Sequence, residues 1–463
     1  MREPTTAEAA SPPARLWERI CNARIPLWAV GLLSLCGVIV TIAFGAIVAQ
    51  ADRHGGLGKA AIQIAGIPNT LAGVYHGLFP NRPKLVLDYV PEPGGLHYAA
   101  GQSFVDPGYV LLTEFSNARQ QRVVRLMRLS DGKVLREYAP DVRAMLQGST
   151  FRSAIVDLQR DKTQRLYFPM HPMLTDDGGL ILHDTSPLTR IDACGKRQWM
   201  IDGIFHHAVE RAPDGTLWAA DRQPRSRRPG LGPLFGDENI VHLRADGTVL
   251  RREAIIAILD RNGLGYLWRS RPYQDDPIHL NDVQPVPGDG PYWHAGDLLL
   301  SLRNLSMIAL YRPAEGRIVW HREVPWRFQH DVAVIDDHRI SVFDNNWRWN
   351  WQAPEKVETD GHNRVLVYDF ATDTVSDPLG EAFRKLDIRT HAQGRAMPLP
   401  GGDFLIEETE RGRLFRIAPD GSVRWRYVSA DPDQHRYELR WSRYLDPIAD
   451  KVGIQAAVNA KCE

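Results

Sequence analysis

One phrase recurs along this chain and limits what it can fold into. It is a histidine, a few mixed residues, a Pro/Asp/Gly turn, then a short apolar strand ending on a polar side chain. It is clearest from His207 to Asp221 (HAVERAPDGTLWAAD), and the stretch from His330 to Asp344 aligns with it without a gap. His391 to Glu408 has a slightly longer turn, and His279 to Arg303 carries an insertion at the turn. His171 to Asp184 and His97 to Glu114 are weaker copies. After each copy comes a second strand–turn–strand element: Val124–Ala139, Leu188–Met200, Ile240–Ala254, Met307–His321, Arg364–Ser376 and Arg413–Arg426. Asp-Gly and Glu-Gly between alternating runs are hairpin signals, because the favoured tight turns need positive φ. Two hairpins make a four-stranded unit that cannot bury its faces alone, so such units pack side by side around an axis. Six of them predict an all-β, six-bladed β-propeller; a seventh blade would have to hide between Arg222 and His279 or near the termini. The 38 glycines and 32 prolines suit many short strands joined by many turns.

Ahead of the repeats, Ile25 to Gln50 holds no charged side chain. A bilayer core needs ~20 apolar helical residues, and this run supplies them. Ala49-Gln50-Ala51 resembles a signal-peptide cleavage site, but the length of the run favours a retained anchor. Arg15, Arg19 and Arg24 precede the span closely, and Arg53 and Lys59 follow it, a slight bias that puts the N-terminus in the cytoplasm. The expected organisation is residues 1–24 cytoplasmic, 25–50 transmembrane, 51–90 a juxtamembrane linker or helix, and 91–463 the propeller. That describes a single-pass inner-membrane protein with its propeller in the periplasm. Leu57 to Leu71 has apolar residues near helical spacing and suits either an interfacial helix or a linker helix packed on the domain. Lysine plus arginine (56) equals aspartate plus glutamate (56), so no basic field exists to hold nucleic acid. The cysteines Cys21, Cys36, Cys194 and Cys462 form no CxxC pair for thiolate zinc; any bridge in the exported part would join Cys194 to Cys462.

In a closed ring of blades, equivalent positions converge on the axis. Any one of these histidines is more simply read as a hydrogen-bonded structural residue, but the set predicts a shared funnel. Imidazoles there can bind an oxyanion, act as nucleophile and base, or bind a metal. His279-Leu-Asn281 places an amide on the same strand face as the imidazole, and Arg303 lies at the far end of that hairpin. A guanidinium suits sulfate or phosphate better than a metal. Carboxylates at Glu114, Asp184, Asp221, Asp344 and Glu407 or Glu408 leave a metal-dependent hydrolase or lyase open. A non-catalytic propeller that binds a protein or glycan is the third reading. Trp199, Trp320 and Trp425 share one outer phase and read as packing between blades, and the basic Arg222–Leu231 stretch as a surface loop.

HLNDVQPV from His279, then GDLLLSLRNLSMIALY and WRFQHDVAVIDDHRISVFDNN, resemble the bacterial arylsulfate sulfotransferase (arylsulfotransferase, ASST) family over about residues 97 to 430. The resemblance implies a periplasmic six-bladed propeller that moves a sulfuryl group from an aryl sulfate donor to a phenolic acceptor. It implies no cofactor, no resident metal and no nucleotide donor. The family's His-x-Asn pair matches His279 and Asn281, its sulfate-binding arginine Arg303, and its transiently sulfated histidine, which follows a glutamine, His330. An earlier-blade histidine matches His207, or His206 if the register shifts by one, and His391 has the right phase. His207 is then the acid and base for the phenolic oxygen, and Asn281, His206, His391, Asn345 and Trp347 are candidate substrate contacts. Trp347, Trp349 and Trp351 alternate on one strand face and suit either an aromatic wall for a phenol or core packing. The chain departs from the family in its membrane segment and in the shortness of the blade that carries His330.

Overall fold

The structure is a computed structural model that describes residues 26–49, 55–65, 92–101, 103–151, 163–223, 231, 235–271, 274–350, 357–431, 433 and 435–462. It falls into two units, Met1–Pro80 and Asn81–Glu463. In the first, helix Leu27–Ala49 runs through the uncharged stretch with leucine, isoleucine and valine exposed all round. Such a helix suits hydrocarbon better than water. It is long and apolar enough to cross a membrane, and a signal sequence has the same make-up. A second helix, Gly55–Ala65, covers the first part of the stretch expected to be helical; the rest of it, the 1–24 segment and most of the 222–231 loop lie outside the described residues.

The second unit is a six-bladed propeller. From the axis outward, blade one holds Arg443–Leu445, Tyr109–Ser116, Gln121–Arg128 and Val134–Tyr138. Blade two holds Met170–Leu174, Leu180–His183, Leu188–Ile191 and Arg197–Ile201. Blade three is Ile204–Arg211, Leu217–Arg222, Glu238–Leu243 and Val249–Ala254. Blade four is Leu280–Pro285, Leu298–Leu302, Met307–Arg312 and Arg317–Arg322. Blade five is Val332–Val334, Arg339–Asp344, Arg364–Asp369 and Thr374–Ser376, with a ribbon of Trp347–Trp349 and Val357–Thr359 inserted. Blade six is Arg395–Pro398, Phe404–Glu408, Arg413–Ile417 and Val423–Val428, with Gly95–Tyr98 as a fifth strand on its outer edge.

The turns follow from local chemistry. Asp214 and Asp246 each accept a hydrogen bond from the backbone N–H two residues on, at 2.9 Å. Gly215 and Gly247 between them take φ of 80° and 89°, which a side chain would strain. The core is one apolar wedge at each blade interface. Leu298, Leu300 and Leu302 face blade three, whereas Leu299 faces blade five, so the run Leu298–Leu302 is buried on both faces and reads as continuous apolar sequence. Each such leucine contributes ~1.5–3 kcal/mol by leaving water. The three outer tryptophans do pack between blades: Trp320 stacks on Tyr368 of blade five with centroids 4.9 Å apart, Trp199 donates to Ala245 O of blade three at 3.1 Å, and buried Trp425 donates to Asp106 at 2.8 Å.

Blade one corrects the sequence reading. The His97 copy is not its first hairpin: Gly95–Tyr98 pairs with Val423–Val428 of blade six, and His97 faces the outer rim. The innermost strand of blade one is Arg443–Leu445, from the far end of the chain. The ring is thus closed twice, once at its rim and once at its axis, because a blade shared by both termini removes the open edges a last blade would leave. Cys194, in the outer hairpin of blade two, is disulfide-bonded to Cys462 beyond the C-terminal helix Lys451–Asn459.

Candidate active site

Three of the histidines, His171, His207 and His279, are aimed by the backbone at the start of an inner strand, and in blade five the same conformation falls on Phe328, two residues before His330. His171, His207 and His279 have φ of 44°, 57° and 54°, in the left-handed region, and register shifts in blades two, three and four bend the strand beside them. Gln393 and Trp441 take the same conformation in blades six and one, with φ of 64° and 58°. Non-glycine residues hold such angles only where surroundings fix them, and here the bend turns each side chain toward the axis.

Four imidazoles meet there. The His207 ring lies 5.2 Å from His206, 5.2 Å from His279 and 5.7 Å from His330, centroid to centroid. His206 Nδ1 is 2.9 Å from His207 Nδ1, and His206 Nε2 lies 2.7 Å from Glu238 Oε2. His279 Nδ1 is hydrogen-bonded to Asp276, which leaves its Nε2 to the funnel. His330 is almost wholly buried; its Nδ1 meets Asn345 Oδ1 at 2.6 Å, and its Nε2 accepts the Gln393 N–H at 2.9 Å. Because an amide oxygen only accepts, Nδ1 carries the His330 proton and Nε2 the lone pair. Burial, and then the Arg303 charge, hold His330 well below the ordinary imidazole range. Burial and the neighbouring His206, His279, His330 and Arg303 do the same to His207. Both are neutral at pH 7.

Arg303 lies over Trp347 at 4.2 Å and near Phe328 at 5.2 Å, and those two rings stack at 4.8 Å. Burial draws its pKa down to about 10 against the pull of Asp276, so it stays charged. Asn281 donates to Gln329 O at 3.2 Å, while its Oδ1 and the Arg303 Nε have no hydrogen-bond partner among the described residues. The open Arg303 N–H, together with the second N–H of Asn281, is what a bound oxyanion would satisfy, whereas Asn281 Oδ1 can only accept, as from a hydroxyl.

The other sequence-derived candidates fall around this centre. Asn345 is fully buried; its amide reaches Thr390 O and Gln393 O, so it orients His330. His391 is exposed, and it joins the site only through its carbonyl, which accepts from the Trp347 indole at 2.5 Å. Trp347 is half-buried, Trp349 is exposed and Trp351 lies outside the described residues, so the three do not form one described wall. The carboxylates offered for a metal have other partners: Glu114 meets Arg125 at 2.8 Å, Asp184 meets Arg440 at 2.8 Å, Asp221 meets Arg252 at 2.9 Å, and Glu408 meets Arg413 at 2.5 Å. Asp344 is paired with Arg364, and Glu407 accepts the Trp441 and Ser442 N–H groups of the closing strand at 2.7 and 2.5 Å.

Sequence reasoning passed over four residues at this site. Glu238 starts the third strand of its blade and gives no signal until that strand is registered beside the second, which His206 flanks on the other side. Asp276, three residues before His279, is visible in the sequence as a partner for it. Trp441 and Gln393 occupy the phase at which a histidine was sought. Next to Trp441 lies a second axial cluster. Arg395 and Arg443 flank buried His171, and Glu210 accepts from Arg395 at 3.0 Å and Arg443 at 2.9 Å. Arg395 also reaches Asp331 at 3.3 Å.

The family model for arylsulfotransferase (ASST) matches residues 171–430. No curated protein matches the sequence. Among solved structures, a protein of unknown function from Bacteroides caccae is 11% identical with a TM-score of 0.45, covering 73% of this chain and 99% of its own. TolB from Acinetobacter baumannii is 11% identical with a TM-score of 0.39 over 84% of this chain and 73% of its own. A virginiamycin B lyase from Staphylococcus aureus is 12% identical with a TM-score of 0.37 over 73% and 88%.

Proposed function

Since this chain belongs to the arylsulfotransferase family, we propose that it transfers a sulfuryl group from an aryl sulfate to a phenolic acceptor through a sulfated His330. The observation that carries this reading is the state of His330: neutral, its proton fixed on Nδ1 by Asn345, its Nε2 lone pair met only by a backbone N–H. Nε2 exchanges that weak partner for sulfur. The S–Nε2 bond forms as the S–O bond breaks, and the phenolate leaves in line. The ring becomes a cation bearing a sulfonate, so no proton need leave His330. Arg303 and the second N–H of Asn281 steady the sulfuryl oxygens as charge redistributes, and His279, whose Nδ1–H is taken by Asp276, adds an Nε2–H in its doubly protonated form; such a donor is typically worth about 10²–10³ in rate. His207 serves the phenolic oxygen as acid and then as base. The acceptor phenol reverses these steps, which gives ping-pong kinetics. Trp347 and Phe328 hold Arg303 from one side and offer an aromatic edge to the substrate ring.

The same reading places residues 1–24 in the cytoplasm, 25–50 across the inner membrane, 51–90 as a linker and 91–463 as the propeller in the periplasm. A Cys194–Cys462 disulfide suits an oxidising compartment. The test is incubation with nitrophenyl sulfate and a phenol, rapid quenching, and peptide mass analysis. Sulfate on the peptide containing His330, discharged by added phenol, is expected; turnover with no sulfated His330 peptide refutes the covalent route.

A further inference from the structure

The neutral nucleophile needs no proton moved, but the phenolic oxygen does, and one buried carboxylate stands behind the histidine that faces it. We infer that Glu238, His206 and His207 form a proton shuttle for that oxygen, an inference that rests on the transfer reading above.

Two imidazole nitrogens 2.9 Å apart must share a proton, since two lone pairs at that distance repel. Glu238 is 2% exposed, and its Oε2 stands 2.7 Å from His206 Nε2, off the line of an ideal hydrogen bond but at ion-pair distance. It therefore favours a proton on Nε2. Two states then fit the same heavy atoms. In one, His206 is a cation that donates from Nδ1, and His207 carries its proton on Nε2, facing the funnel. In the other, His206 is neutral with its proton on Nε2, and His207 carries its own on Nδ1. The charges around His206 favour the first at rest. Burial works against a cation, but Glu238 foremost, with Asp276 of blade four and Asp221 of its own blade, holds His206 above its ordinary value. The other titratable neighbours, His183, His207 and His279, are imidazoles, and the first two are held neutral.

Transfer converts one state into the other. As the donor's S–O bond breaks and sulfur bonds to His330 Nε2, the His207 Nε2 proton passes to the departing phenolate oxygen. The proton between the rings moves from His206 Nδ1 to His207 Nδ1. His206 loses its positive charge and the phenolate its negative one. In the second half-reaction the acceptor's hydroxyl proton goes to His207 Nε2, the shared proton returns to His206, and the sulfuryl group moves from His330 to the acceptor oxygen. Every atom and charge is restored. Glu238 touches no reacting atom and is a positioning residue.

The test uses the full chain in detergent micelles with Glu238→Gln. A basic leaving group needs the proton and an acidic one scarcely does. The variant is therefore expected to lose about 10-fold or more additional rate with phenyl sulfate than with nitrophenyl sulfate, within the about 10²–10⁴ that general acids supply. The donor half-reaction slows as pH rises through the His206 pKa, and without Glu238 that alkaline limb moves to lower pH. Equal losses for both donors with an unmoved limb overturn the shuttle. Glu238→Asp, with the charge kept and the reach shortened, gives the same split at smaller size if the glutamine variant fails to fold. Nitrogen NMR of 15N-histidine-labelled protein decides the matter independently of turnover. His206 doubly protonated and His207 protonated on Nε2 near neutral pH are expected, and a neutral His206 in the unaltered chain overturns the inference. If no aryl sulfate is turned over at all, the transferase reading falls, and the NMR result still decides the protonation states.

Discussion

Two clusters on the same axis are built from neighbouring positions of the same strands, yet they use polar groups in opposite ways. His207 and Glu210 share one inner strand, His330 and Asp331 are adjacent, and Gln393 and Trp441 each stand two residues before an arginine. Trp441 touches both clusters: its ring centroid is 5.7 Å from that of His207 and 5.7 Å from the Arg395 guanidinium carbon. In the arginine cluster nearly every charge meets its opposite. Burial, and then the charges of Asp331 and Glu210, push Asp282 far up, so it carries a proton and three carboxyls balance two guanidiniums. In the imidazole cluster Arg303 Nε and Asn281 Oδ1 are left without hydrogen-bond partners. Arg395 Nε and Asp331 Oδ1 also lack an ideal hydrogen bond, but they stand 3.3 Å apart as an ion pair. A cluster whose charges pair holds strands together, and one with an open guanidinium N–H can take an anion.

His330→Ala separates the two most sharply. Transfer is expected to fall by more than about 10³-fold in steady-state assay, because a nucleophile acts as a unit with its base. Urea unfolding loses only the about 1–3 kcal/mol of a buried polar group left without its partner. Arg395→Met is the converse. It leaves Glu210 and Asp331 short of a counter-charge and is expected to cost about 3–5 kcal/mol in urea unfolding, with Asp331→Asn restoring part of the loss. Asn345→Ser belongs to both sides: it frees the His330 ring and is expected to lower kcat roughly 10²-fold without unfolding the chain.

The smallest effect expected is a slope. His171, His183, His207 and His330 all titrate below the ordinary 6.5, with burial the leading cause and His183 drawn to about 3. A histidine with a depressed folded pKa contributes stability that is present above 6.5 and lost as pH falls below it. Asp331 acts oppositely. Raised to about 6, chiefly by burial, it favours the folded state at low pH and loses that contribution as pH rises from its unfolded value through 6. Asp282, held up still more strongly, and His206, held above its ordinary value, act with Asp331. Four depressed imidazoles thus stand against three opposing groups and predict a thermal midpoint that drops only modestly from pH 7 to pH 5. Asp331→Asn should steepen that drop.

The hairpins were legible because Asp-Gly turns and alternating strands are local. Five blades stand where those signals put them, and the histidines at 207, 279 and 330 converge as their common phase implied. Blade one was not legible, since its inner strand is three residues, Arg443–Leu445, paired to a segment more than three hundred positions earlier. The arginine cluster was hidden for a related reason. Asp282, Asp331 and Arg395 look like ordinary strand residues until the ring closes and sets them face to face. Glu238 is two strands from His206, a distance no pattern along one strand reports.

Glu407 grips the backbone of Trp441 and Ser442 as the last inner strand slots beside the first hairpin. The floor under the imidazoles therefore arrives with the strand that closes the ring. A chain stalled or nicked ahead of that strand would display most of its sheets and yet have no finished pocket, so competence is withheld until the strand has been made and the ring has shut.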